Sequence, residues 1–234
     1  YGRFIERPYP ELTGAALGVP ALNLGWNNAG LDTFLEDQTV LSLCAGASAV
    51  VVQALPVHSL TNPFYCVHPR RNDRFLRATK RLTSLYAEAE FTDVHFTRHL
   101  LSLLHGLDPE RFGAVVDVLR DTWVTRMRDL ALKVGRPVTL LWVSRRRPEE
   151  AGETPDDTDP LFVTRDMIEA IRGDLAEVVE VVYEPSPGLP PDGMVISELD
   201  LPAALSLPGP SAHAEISRRL AGALVARAQS FRKG

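Results

Sequence analysis

One stretch of the chain constrains its architecture more than any other. Asp108-Pro109-Glu110 opens it, apolar residues follow at helical spacing to Val134, Gly135 and Pro137 close it, and Val138-Thr139-Leu140-Leu141-Trp142-Val143 comes next. A capping Asp, a Pro at the first helical position and an acid in the first turn begin a helix. Phe112, Val115, Val116, Leu119, Trp123, Met127, Leu130 and Val134 give that helix one apolar face, and Gly135 with Pro137 stops it. The run that follows is continuously apolar and partly β-branched, the pattern of a strand covered on both faces. A long helix feeding such a strand predicts a mostly parallel α/β sheet.

The alternation recurs elsewhere. Pro20–Leu24 reads as a buried strand ending at Gly25, Leu31–Cys44 as a crossover helix, and Ala49–Val52 as another two-sided strand. Arg165–Ile171 reads as a helix, Val178–Tyr183 as a fourth strand, and Ala212–Phe231 as a surface helix whose Ile216, Leu220 and Leu224 face the sheet. Pro63–Gly106 interrupts the rhythm with a basic segment and two helices, and reads as an inserted helical element over the sheet's carboxyl edge. The polar loop Ser144–Asp159 reads as mobile. With 234 residues, a core can form without a disulfide or metal staple, so a single domain is expected.

Composition removes several classes of function. No apolar run approaches the roughly 20 residues of a membrane-spanning helix. A net charge of −5 argues against a nucleic-acid partner, which needs a basic face. Two cysteines form no thiolate zinc set and fit a reduced, cytoplasmic setting.

Ligands of parallel α/β sheets bind beyond the carboxyl ends of the strands, which directs attention to four features. Asn23–Gly30 supplies two glycines, whose backbone can approach a ligand, and asparagines that can donate, with Gly25, Asn28 and Gly30 as the candidates. It also reads as an Asn-rich turn. Leu207–His213 is a Pro- and Gly-containing loop that delivers His213 to the start of the last helix, either as a general base or as a helix-start residue without chemistry. His68–Arg81 holds six basic residues against Asp73 alone, a net +5 that leaves −10 for the rest of the chain. As a helix it aligns Arg70, Arg74, Arg77 and Arg81 on one face, suited to an anionic group or to a solvated surface. His95 and His99 are four apart, but the Glu of a metalloprotease helix is missing and no third ligand is evident, so neither a metal nor a cofactor is expected.

The order of the Asn23-Leu24-Gly25 loop, the Val50-Val51-Val52-Gln53 strand, Asn62, and Pro210-Ser211-Ala212-His213 before a last helix resembles the SGNH (GDSL-like) hydrolases. More closely, Tyr1-Gly2-Arg3-Phe4, Asn28-Ala29-Gly30-Leu31-Asp32, His68–Phe75 and His95–His99 look like a bacterial family of unknown function with this layout. The resemblance implies a three-layer, flavodoxin-like sheet, an oxyanion region at Gly25 and Asn62, and His213 as base. It also implies that the first strand and its serine lie just upstream of Tyr1, while Pro210 stands where an aspartate is expected, so no triad can be written. The expectation is ester hydrolysis or acyl transfer on a small-molecule or glycan substrate with an anionic group, held at Asn28, Gly30, Arg70, Arg71 and Arg74. The competing expectation is a non-catalytic protein that binds an anionic glycan or metabolite on the arginine face.

Overall fold

In a computed structural model, which describes residues 2–185 and 192–231, the cap at Asp108 forms as its chemistry requires, its carboxylate accepting from the Arg111 N–H at 2.9 Å. The elements in chain order are α1 (Tyr9–Leu17), α2 (Leu31–Glu36), α3 (Gln38–Ala45), β1 (Val50–Gln53), β2 (Tyr65–His68), β3 (Arg71–Ala78), α4 (Lys80–Leu85), α5 (Thr97–Leu107), α6 (Pro109–Val134), β4 (Val138–Ser144), α7 (Arg165–Ala170), β5 (Glu177–Val182), α8 (Leu201–Ser206) and α9 (Pro210–Phe231). Helix α6 buries all eight predicted apolar residues, and Gly135 ends it in the left-handed conformation, φ +61°. No described helix is long and apolar enough to cross a membrane.

Among the described residues the parallel sheet has three strands in the order β1-β4-β5. Every residue of β4 is buried. Its alternate side chains enter two apolar layers: Val138, Leu140 and Trp142 pack with α6 on one face, while Leu141 and Val143 pack with Ile216 and Leu220 of α9 and Tyr9 of α1 on the other. Helices therefore cover both faces, as the sequence pattern requires.

Four expectations change. Pro20–Leu24 is not a buried strand: it joins no sheet and is largely exposed, with Leu22 at 65%. The crossover helix is broken at Asp37, whose carboxylate accepts from the N–H groups of Thr39 and Val40 and so starts α3. The loop after β4 is anchored. Arg146, 8% exposed, lies over the Trp142 ring and donates to the carbonyls of Pro160 (2.7 Å) and Val163 (3.0 Å), while Ser144 Oγ donates to the Asp159 carbonyl (2.7 Å). A guanidinium has five donors in a fixed fork, and here they gather a polar segment that composition alone marks as loose.

The inserted segment also departs from the expected helix. His68–Arg81 forms most of the antiparallel β2–β3 hairpin, and His68 Nδ1 shapes its turn by accepting from the Arg70 and Arg71 N–H groups at 3.2 Å each. Asn72 and Phe75 are buried within β3, and only Lys80 and Arg81 fall in a helix, α4. A side-chain period near two, rather than 3.6, dissolves the predicted arginine stripe.

Candidate functional site

A groove of about 990 Å³ runs alongside β1, lined by that strand and by the irregular segment 19–29. Gly2, Tyr9 and His213 line it together with Gly25, Trp26 and Asn28, so residues almost two hundred positions apart share one wall system. Position in the fold explains the meeting. His213 sits in the first turn of α9, α9 packs on α1, and residues 25–30 lead into α2.

The His213 ring is 1% exposed, and its Nδ1 accepts the Tyr9 backbone N–H at 2.9 Å. That N–H belongs to the first turn of α1, where backbone donors lack helical partners. Burial is the leading cause that pulls the imidazole pKa down to about 4, so the ring is neutral at pH 7 and carries its proton on Nε2. Gly2 is held close by, with φ +81°, and a Cβ added there would stand 3.2 Å from His213 Cε1. In the Ser-His-Asp arrangement Nδ1 donates to a carboxylate and Nε2 accepts. The bond from Tyr9 reverses both.

The other sequence candidates divide. Gly25 and Asn28 line the groove, and Asn28 adopts φ +60°, a left-handed conformation that asparagine tolerates. Gly30 does not line it. Its N–H donates to Asn72 Oδ1 at 2.6 Å, and a Cβ there would overlap the Ser59 carbonyl oxygen, so this glycine serves close packing. Asn62 Nδ2 donates to the Leu60 carbonyl at 2.8 Å, and its Oδ1 accepts from the Phe64 and Tyr65 N–H groups at 2.9 and 3.2 Å. It stabilises the turn into β2.

Arg70, Arg71 and Arg74 are not among the residues lining the groove. Arg71 bonds Asp73 at 3.4 Å, Arg74 lies over the Phe96 ring, and Arg70 is exposed at the hairpin turn. His95 precedes α5 and His99 lies within it, so the two do not share a helix turn. Among the described residues no group of three or more His, Cys, Asp or Glu could hold a metal.

Sequence reasoning passed over four residues. Tyr9 matters through its backbone, which no side-chain pattern signals. Asn72, completely buried, accepts from Gly30 and Thr33 and donates to the His68 carbonyl, and a polar residue among basic ones gave no sign of burial. Gln53 lines the groove and buries its Oε1 without a partner among the described residues; a lone amide closing the β-branched run Val50–Val52 is the signal that was available. His58, 6% exposed, has a buried Nδ1 without such a partner, and its pKa is lowered to about 4 mainly by burial, with Arg98 lowering it and Asp159 opposing.

In comparison with known proteins, the model of a family described as a domain of unknown function matches residues 1–229. No curated protein and no solved structure matches the chain.

Proposed function

The chain belongs to this family, Domain of unknown function (DUF6473), whose description carries no activity, and we propose from the geometry that it binds and polarises the carbonyl of an ester or other acyl group. The site is the part of the groove that His213, Gly25 and Asn28 line. His213 donates to the carbonyl oxygen from Nε2, Gly25 and Asn28 border the same group, and the apolar length of the groove accepts the acyl chain. One observation carries this reading: a buried, neutral histidine whose Nδ1 is fixed by the Tyr9 N–H lines the same groove as Gly25 and Asn28. A neutral imidazole held this way costs no reorganisation as negative charge develops on an oxygen, and one such donor contributes roughly 10²–10³ in rate.

The experiment is hydrolysis of a short-chain aryl ester by the protein and two variants. Gln at 213 can accept the Tyr9 N–H through its carbonyl and donate through its amide, but it cannot act as a base. His213→Gln therefore keeps activity within about tenfold of the native protein, while His213→Ala loses roughly 10²–10³. Equal loss in both variants returns His213 to a proton-accepting role. No turnover by the native protein removes the ester reading.

A further inference from the structure

A second cavity lies apart from the groove. It is a cleft of about 640 Å³ lined by the turn Thr61–Pro63, by Arg81 of α4 and by residues of α6 from Val118 to Arg126, and it shares no lining residue with the groove. That volume is in the range of small-molecule sites. Arg81 lies over the ring of the buried Phe64, 4.7 Å from its centroid. Stacking uses the face of a guanidinium and leaves its N–H edge for a ligand. Arg71, Arg111 and Arg120 are paired with Asp73, Glu88 and Asp117, whereas Arg81 meets no carboxylate among the described residues. Arg126 is held differently. Its Nε donates to Asp32 Oδ1 at 3.0 Å, and Oδ2 of the same buried carboxylate accepts the Thr61 N–H at 2.7 Å. One carboxylate outside the lining therefore fixes two residues within it. Arg126 Nη2 and the hydroxyl hydrogen of Thr61, whose Oγ1 accepts from the Val67 N–H, are left without an acceptor among the described residues.

The remaining polar lining is of the opposite kind. Thr122 Oγ1 and Thr125 Oγ1 donate to the Val118 and Asp121 carbonyls at 2.7 and 2.9 Å, so toward a ligand they can only accept, as can the Asp121 carboxylate. We propose that this cleft binds a phosphorylated polyol of the sugar phosphate class. Arg81, Arg126 and Thr61 donate to the phosphate, while Asp121 and the two threonine oxygens accept from hydroxyl groups. Donors arriving from three segments of the chain suit a tetrahedral anion, whose oxygens point in several directions. A planar carboxylate is satisfied by a single guanidinium fork. This inference does not rest on the acyl reading.

Isothermal titration calorimetry tests it, with glucose 6-phosphate, inorganic phosphate, glucose and glucuronate as probes. Glucose 6-phosphate should saturate one site and bind at least about tenfold more tightly than each of the other three, since it alone offers both the phosphate and the hydroxyl groups. Arg81→Gln keeps a planar group over the Phe64 ring but removes the charge, and should weaken glucose 6-phosphate at least about tenfold. Arg70→Gln, at the exposed hairpin turn, should change it less than about twofold. Asp121→Asn removes the negative charge on the lining and should tighten inorganic phosphate at least about twofold, a gain that misfolding cannot mimic. Absence of saturation by glucose 6-phosphate overturns the proposal, as does equal affinity for inorganic phosphate or glucuronate. Equal weakening by Arg70→Gln and Arg81→Gln also overturns it, by assigning the effect to the charge of the whole segment, and so does weaker phosphate binding in Asp121→Asn. No arm measures ester turnover, so failure here is separable from failure of the proposed function.

Discussion

Replacing Gly30 by alanine asks whether this residue is a ligand donor or a packing contact. Its φ is −106°, which any residue adopts, so the requirement for glycine is one of space. An added methyl would overlap the Ser59 carbonyl oxygen, lie 2.9 Å from that carbonyl carbon and 3.0 Å from Asn72 Oδ1. Ordinary carbon contacts are about 3.5–4.0 Å, so the segment before α2 must move away from the turn at Ser59. Moving it costs about 1–3 kcal/mol as overpacking. It also stretches the buried bond from the Gly30 N–H to Asn72, a further loss of about 1–3 kcal/mol if that donor is left unsatisfied. Together these predict a loss of about 2–5 kcal/mol, read as the shift in a urea or thermal unfolding midpoint at about 2–4 °C per kcal/mol for a domain of this size. Gly113 is the control: it lies within α6 with nothing within 4 Å of an added Cβ, so Gly113→Ala should stabilise by roughly 0.5–1 kcal/mol. A loss below about 1 kcal/mol in Gly30→Ala, with an unchanged denaturant slope, would refute the packing assignment.

Two further outcomes are expected. His213 and His58 both have folded pKa values of about 4, below the usual 6.5, so folding favours their neutral forms; the resulting stability is complete above pH 6.5 and is lost as pH falls toward 4, about 1–2 kcal/mol per ring between pH 8 and pH 5. Urea melts across that interval should show the decline, and His213→Gln should remove about half of it; a flat profile would mean the rings are not held neutral. Arg146→Met keeps the stem over Trp142 but strips donors from the Pro160 and Val163 carbonyls, which should cost about 2–4 kcal/mol. Limited proteolysis should then cut within residues 148–158 under conditions that leave the native protein intact, and equal resistance would show that Arg146 does not hold the loop.

The legible parts of the fold are those written in local chemistry. α6 announces itself by its cap, its apolar period and its terminal glycine, and β4 and β5 by valine-rich, largely apolar runs, because each signal is complete within its own segment. Pro20–Leu24 misled because an apolar pentad looks like a strand whether or not a partner lies beside it, and pairing depends on distant chain. The arginine segment misled for a related reason. Its four arginines fit a helical period, yet Asn72 and Phe75, buried against α2 and the residues before α5, fix it as a strand. Of the candidate site, His213, Gly25 and Asn28 do share a groove, while Asn62 and Gly30 are consumed by turns and packing.

The sequence by itself determined that this chain builds a parallel sheet covered on both faces, because hydrophobic periodicity and helix capping act over a few residues and need no partner to be read. Only the tertiary structure decided what the functional groups do. The tautomer of His213 depends on a backbone N–H two hundred residues away, and Gly30 is required by the carbonyl of a turn it has yet to meet in the chain. Hydrogen-bond direction and steric contact are properties of pairs, and these pairs form only when the chain has folded.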